Sequence, residues 1–418
     1  MRFNTSLIHG GVKRDDKNGA THVPIYQVSA FEHMSSEELE KIFENKAAGY
    51  TYTRLGNPTV QAFEARITTL EGGMASIACA SGMAALTNAL MNILRTGDEI
   101  VTSASLYGGS IDLFRDFEAF GIKTVYVENN TWDAFKAAIN EHTRLIFAET
   151  IGNPRLDVTD IRKLSELAHA HGLPLIIDNT AATAYLARPI ELGADIVVNS
   201  SSKYINGSSN AISGILTDSG KFKWDVEKYP GMKEFVKFGL FAYTAKLRNG
   251  LYRNTGACLS PQNAFLNQIG LETLGLRMQR ECDNAAALAK WLKTSYPDIT
   301  VNYPGLPDSS WHEIAEGQFR NGYGAIFTLR TGSKESAFRL IDSLKLPYKL
   351  SNIGDTRTLV IHPASTISLH STQKQQEEAG VFDDLIRVSV GIEDIEDLKE
   401  DFEQAIKQMK EEDYGRKY

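Results

Sequence analysis

From about residue 75 to residue 217, short apolar runs alternate with amphipathic segments, and this pattern restricts the possible folds more than any other feature of the chain. Apolar runs at 75–80, 99–102, 123–127, 145–149, 173–178 and 195–199 predict buried strands, and 214–217 predicts one more. Between them, 83–94, 131–140 and 160–171 carry helical periodicity, the last two opening on good N-cap residues. Strands that are apolar throughout are buried on both faces, and strands alternating with helices build a mostly parallel, doubly wound sheet. Such a sheet binds ligands beyond the carboxyl ends of its strands.

The flanking sequence differs. Residues 1–57 read as an irregular arm interrupted by one helix, which starts near Ser35-Ser36-Glu37-Glu38. The arm ends at Tyr50-Thr51-Tyr52-Thr53-Arg54-Leu55-Gly56-Asn57-Pro58-Thr59, with a turn at Asn57-Pro58. Residues 218–258 show no dominant period. One long helix is expected after Pro261, to about residue 293. Beyond it, strands at 324–329, 359–361 and 386–390 and helices at 333–343 and 395–411 suggest a smaller α+β domain. The expected division is an arm at 1–57, a large domain at 58–257 and a C-terminal domain at 258–418.

Bulk properties exclude several functions. A net charge of −8 without long single-sign blocks argues against nucleic acid and anionic membrane surfaces as partners. Three widely spaced cysteines give no disulfide framework, so a reducing cytoplasm is expected. The first residues lack an apolar signal core. Residues 72–94 are uncharged but interrupted by Ser76, Ser81, Gly82, Thr87, Asn88 and Asn92, which reads as strand, turn and helix and not as a membrane span. No histidine spacing suits zinc, and no GxGxxG, GxSxG or Walker loop is present.

Chemistry concentrates at the strand ends. Asp178 closes one apolar run, and Lys203 follows another through Ser200, Ser201 and Ser202. An aspartate there often caps a helix, and most lysines are solvated. Together, however, an amine able to form a Schiff base and an acid able to keep a ring nitrogen protonated suit pyridoxal 5'-phosphate (PLP). Ser81-Gly82-Met83 opens a helix directly after a strand, where free N–H groups favour a phosphate. Ser200 and Ser202 add hydroxyls, and Arg54, beside Tyr52, adds a cation. Tyr107, at another strand end, suits ring stacking and proton transfer, although anchoring a loop is the commoner use of a tyrosine. Arg387 lies inside an apolar strand and needs a partner there, either a structural acid or a substrate carboxylate.

Taken in order, these stretches resemble the Cys/Met-metabolism family of PLP enzymes, of the aspartate-aminotransferase-like fold (PLP fold type I). The likeness runs from His9-Gly10-Gly11 and Pro24-Ile25-Tyr26-Gln27 to the strand with Arg387. It implies that Lys203 is the Schiff-base lysine, Asp178 the pyridine partner and Tyr107 the stacking tyrosine. It implies that Ser81, Gly82, Met83, Ser200 and Ser202 surround the phosphate. Asn153, in Glu149-Thr150-Ile151-Gly152-Asn153-Pro154, would contact the phenolic oxygen. Arg387 and Asn352 would bind the substrate carboxylate, and Tyr52 and Arg54 would reach the phosphate of a neighbouring subunit in a homotetramer. Residues 149–157, 219–224 and 352–356 lean towards the O-acetylhomoserine sulfhydrylases, with sulfide or a small thiol as nucleophile. Gly109 stands where methionine γ-lyases carry a reactive cysteine, which disfavours that activity. Cystathionine γ-synthase, cystathionine γ-lyase or methionine γ-lyase chemistry, an unusual nucleophile, and a non-catalytic binding protein of the same fold are the alternatives. The chain departs from the family pattern at Ala181, Ala184, Asn199, Asn206 and Ser208.

Overall fold

The apolar runs form seven strands: β1 Ala75–Cys79, β2 Glu99–Ser103, β3 Lys123–Val127, β4 Thr143–Glu149, β5 Leu175–Asp178, β6 Ile196–Asn199 and β7 Gly214–Asp218. The computed structural model describes residues 1–11, 18–44, 46–128, 130–369 and 371–415, so part of the expected arm, 12–17, lies outside the described residues. The strand order is β1-β7-β6-β5-β4-β2-β3. The five strands from β3 to β6 pair in parallel, while β7 is antiparallel to both β6 and β1. Two reversals restore the direction, so β1 ends on the same edge as β4, β5 and β6.

Alternation along each strand fills both faces. Ile100, Phe147, Ile176 and Val198 point into one core with Leu86, Leu90 and Phe114. Val101, Ile146, Ala148, Ile177 and Val197 point into the other, against helix Ile161–Ala170. The chain leaves β2 towards β3 and leaves β4 towards β5. The gap between β2 and β4 is therefore the point where the winding reverses, and open α/β sheets place ligands there.

The second sheet comprises β8 Thr300–Asn302, β9 Ile326–Arg330, β10 Tyr348–Lys349, β11 Leu359–Ile361 and β12 Leu385–Ser389, in the order β10-β11-β12-β9-β8. Only the β10–β11 pairing is parallel. Helices Leu274–Ser295, Lys334–Ser343 and Ile395–Gly415 share its apolar core.

Several elements differ from expectation, among them a second helix in the arm, Phe3–His9. The long helix breaks at Thr273 into Pro261–Glu272 and Leu274–Ser295. There the Arg277 guanidinium takes the carbonyl of Gly270, which also receives the Thr273 N–H. Helix Gly108–Phe117 was not expected, because its first two residues are glycines of low helix propensity. Residues 218–258 contain helices Ala242–Asn249 and Leu251–Thr255, anchored by Trp224 stacked on Tyr243 at 5.7 Å. Among the described residues, no helix is long and apolar enough to cross a membrane. Residues 72–94 are β1 followed by helix Gly82–Met91.

Candidate active site

The carboxyl ends of β1, β4, β5 and β6 and the loop after β2 open onto one cavity of about 480 Å³, closed on its far side by residues 351–353 and Arg387. Lys203, Asp178, Tyr107, Ser81, Gly82, Met83, Asn153, Ser200, Ser202, Asn352 and Arg387 all line it. Of the expected residues, Tyr52 and Arg54 lie elsewhere. Both belong to the arm, where Arg54 donates to the Arg253 carbonyl at 2.7 Å and sits over the Tyr52 ring. Tyr52 is 43 % exposed.

The lysine side of the cavity is a tight turn. Lys203 N–H bonds to the Ser200 carbonyl at 3.1 Å, and the Ser200 N–H to Thr180 Oγ1 at 2.8 Å. Arg277 donates to the Tyr204 carbonyl at 2.8 Å and fills the space beside Gly207, whose φ is +74°. A Cβ at Gly207 would lie 2.3 Å from that guanidinium, so only glycine fits both the conformation and the approach. The Lys203 amine donates to Asn352 Oδ1. Burial first, and the Arg387 charge second, hold that amine below the usual lysine range, at about 8.

Two acids stand side by side. Glu149 and Asp178 are partners in the β4–β5 register. Thr180 N–H donates to Asp178 Oδ1 at 2.9 Å, yet burial raises its carboxyl. Burial and then the Asp178 charge push Glu149 well above the carboxylate range, while its Oε1 accepts the Tyr107 N–H at 2.7 Å. Glu149 thus braces the backbone of Tyr107 across the switch point. Sequence reading passed over it, although it ends an apolar strand just as Asp178 does.

The helix start at Gly82 is pressed against the lysine turn. Ser81 Oγ caps Ala84 N–H at 3.0 Å. A Cβ at Gly82 would sit 2.6 Å from Ser200 Cβ, which makes this a close backbone approach. The two serines expected at a phosphate differ. The Ser202 hydroxyl is committed to Ser213, donating to its carbonyl at 3.0 Å and accepting its N–H at 2.8 Å. Ser200 stands beside Gly82 at the cavity wall.

Arg387 is 2 % exposed, and among the described residues no carboxylate pairs with it. Its Nη1 donates to Asn153 Oδ1 and its Nη2 to the Asn352 carbonyl, both at 3.0 Å. Its Nε has no hydrogen-bond partner among the described residues. Burial lowers the guanidinium to about 10. A buried cation with an orphaned donor, facing a cavity, is arranged for an anion that arrives from outside.

Among the five departures from the family pattern, Ala181 alone lines the cavity. Ala184 packs in the core. Asn199 donates to the buried Glu71 at 2.8 Å. Asn206 accepts the Ser208 and Asn210 N–H groups and so shapes the turn after the lysine.

These residues fit pyridoxal phosphate. A helix start with a close approach suits the phosphate, Asp178 suits the ring nitrogen, and a lowered amine suits the aldehyde. The volume is that of a small-molecule site. Among the described residues, no cluster of side chains could hold a metal ion.

The family model for Cys/Met metabolism PLP-dependent enzymes matches residues 4–407. The O-acetyl-L-homoserine sulfhydrylase of Corynebacterium glutamicum is 42 % identical, over 96 % of each chain. A Campylobacter jejuni protein assigned as an O-acetylhomoserine (thiol)-lyase superposes with a TM-score of 0.92 at 32 % identity, covering 97 % of this chain and all of its own. Its structure contains N'-pyridoxyl-lysine-5'-monophosphate. Cystathionine γ-lyase from Lactobacillus plantarum, in complex with L-serine, follows at a TM-score of 0.87 and 35 % identity, over 98 % of this chain and 100 % of its own.

Proposed function

We infer the reaction from one premise: the chain belongs to the Cys/Met-metabolism family of PLP-dependent enzymes. It has the fold of PLP fold type I, and its cofactor is pyridoxal 5'-phosphate. The reaction is γ-replacement on O-acetylhomoserine. Sulfide forms the new C–S bond at Cγ, acetate leaves with the C–O electron pair, and homocysteine is the product. Methanethiol in place of sulfide would give methionine.

When bound, the cofactor supplies an electron sink joined to the substrate's α-nitrogen, which makes the Cα proton removable. Lys203 moves that proton. Its amine, held near 8, is neutral in a useful fraction of molecules close to pH 7. Asp178 would hold the ring nitrogen, and burial with the Asp178 charge keeps the neighbouring Glu149 carboxyl well above the usual carboxylate range, which favours its neutral form beside that acid. Arg387 holds the α-carboxylate, with Asn352 beside it, which keeps Cα near the lysine. Tyr107 serves at the leaving acetate and at the ring face. Gly82, Met83 and Ser200 take the phosphate, with Ser81 capping that helix and Ser202 holding the turn.

The observation that carries the reading is the buried, acid-free Arg387 in the same cavity as Lys203 and Asp178. Tyr52 and Arg54, exposed on the arm, complete the neighbouring subunit's phosphate site in a homotetramer, and light scattering on the purified protein checks that assembly. The three cysteines are free thiols, which accords with a cytoplasmic enzyme. The test is a substrate panel read by mass spectrometry. O-acetylhomoserine with sulfide should give homocysteine and acetate in a one-to-one ratio. A second reading, cystathionine chemistry, is favoured by the likeness to the Lactobacillus enzyme. It would replace the first if cysteine outcompeted sulfide, or if elimination to 2-oxobutyrate dominated.

A further inference from the structure

A chain of hydrogen bonds leaves the cavity behind Lys203 and ends on a buried acid. The Lys203 amine donates to Asn352 Oδ1. Asn352 Nδ2 donates to Ser209 Oγ at 2.9 Å, and Ser209 Oγ donates to Asp355 Oδ2. Asp355 is 2 % exposed, and its other oxygen accepts the Arg357 N–H at 3.0 Å. The links alternate between the turn after the lysine and the segment before β11, so they join the two sheet-bearing halves of the molecule.

The direction of this chain is determined by its end. The Ser209 hydroxyl spends its single hydrogen on Asp355 Oδ2. It then has only lone pairs to offer Asn352, which must answer with its amide nitrogen. The carbonyl end of that amide is left facing the lysine. A second observation marks the same residue. Ser209 has φ +54°, a left-handed conformation that is strained for a non-glycine residue. A hydroxyl is retained where a glycine would rest more easily.

We propose that Ser209 and Asp355 are positioning residues that decide which end of the Asn352 amide is presented to the Lys203 amine. A carbonyl there accepts from the lysine in either protonation state and aims its nitrogen into the cavity. An amide N–H there would repel the ammonium and turn the lysine away. The titratable and charged groups that share the cavity wall with the amine are Arg387 on β12, Asp178 on β5, Glu149 on β4 and Tyr107 after β2, and of these Arg387 acts on it directly. The inference rests on Lys203 as the reacting amine, but its test does not require the assigned substrate.

The measurement is the pH midpoint for acetylation of Lys203 by acetic anhydride. It is made on the full chain after cofactor removal and read by mass spectrometry of the Lys203 peptide. Ser209→Gly removes the hydroxyl and relieves the backbone, so its fold is safe. It should lower the midpoint by about one pH unit, as loss of one good acceptor to a half-buried ammonium does. Asp355→Asn reverses the chain: with its oxygen still on the Arg357 N–H, its amide nitrogen donates to Ser209, whose hydroxyl then donates to Asn352. Its midpoint should fall at least as far. In the loaded enzyme the acid limb of the kcat profile should move with the midpoint in both variants. Midpoints equal to wild type in Ser209→Gly would overturn the proposal. A shift in Ser209→Gly with none in a folded Asp355→Asn would remove Asp355 from it. Altered midpoints together with no sulfhydrylase activity in the wild-type protein would sink the reaction assigned above and leave this inference standing.

Discussion

Two cations, Arg387 buried and Lys203 half-buried, share one cavity, and the chain holds them in different ways. Arg387 sits mid-strand on β12, with backbone pairing to β9 and β11 on either side. Its fork is pinned to Asn153 and to a main-chain carbonyl. Lys203 sits in a turn, on a flexible four-carbon stem, with a single side-chain acceptor. The difference separates a fixed anchor from a movable base. An anchor must hold a carboxylate in one place through every step, which a rigid guanidinium on a sheet does. A base must swing between atoms, which an amine on a turn can do only if its bond to the protein is easily exchanged.

The sharpest break in this comparison is removal of the movable group. Lys203→Ala should abolish the cofactor's visible absorbance and lower turnover at least 10⁴-fold, the upper range for a general acid–base group. Turnover at the wild-type rate in this variant would end the mechanism. Removal of the fixed group should act differently. Arg387→Met should lower kcat/KM about a hundredfold, close to 3 kcal/mol, mainly through KM. The melting temperature of the ligand-free chain should not fall, because an uncompensated buried charge is exchanged for apolar contact. A large stability loss would show that the arginine is structural.

A smaller effect is expected where the helix start meets the lysine turn. Gly82→Ala places a Cβ against Ser200 Cβ and should destabilise the protein by about 2 kcal/mol, by the cost of overpacking. Phosphate affinity, measured by equilibrium dialysis of the cofactor, should weaken with it. An effect of similar size, but one that only a change of pH reveals, lies beneath the site. Burial raises the Glu71 carboxyl to about 7, against opposing hydrogen bonds from Asn199 and Asn179. Among the described residues, the other Glu71 oxygen and the Asn199 carbonyl oxygen are both buried without a hydrogen-bond partner. The folded value lies above the unfolded one. The folded chain therefore binds a proton that the unfolded chain has released, and stability falls as pH rises towards 7 and is lost above it. The change should be about 2 kcal/mol between pH 5 and 8. Glu71→Gln, an amide that mimics the protonated acid, should flatten this slope in melting experiments run across that range.

Much of this was legible from residue order alone. The strand runs at 75–80, 99–102, 123–127 and 145–149 agree with the observed strands to within two residues at either end. Uniform apolarity marks a strand buried on both faces, so the parallel sheet and its active edge followed. Asp178 and Lys203 stood out because a polar group at the end of such a run must have a use. Glu149 carried the same signal and was missed, because its partner is found only through the β4–β5 register. Ser209 and Asp355 carried no signal, since 146 positions separate the two ends of one hydrogen bond.

By itself, then, the order of residues determined the secondary structure of the large sheet, the edge that bears chemistry, and the residue types that chemistry requires. Periodicity and strand-end polarity are local properties, and local properties survive in one dimension. Only the tertiary structure decided which groups are buried without a partner, which serine is already committed, and which end of an amide faces the lysine. Those are questions of desolvation and of hydrogen-bond direction. Both depend on atoms brought together from distant parts of the chain.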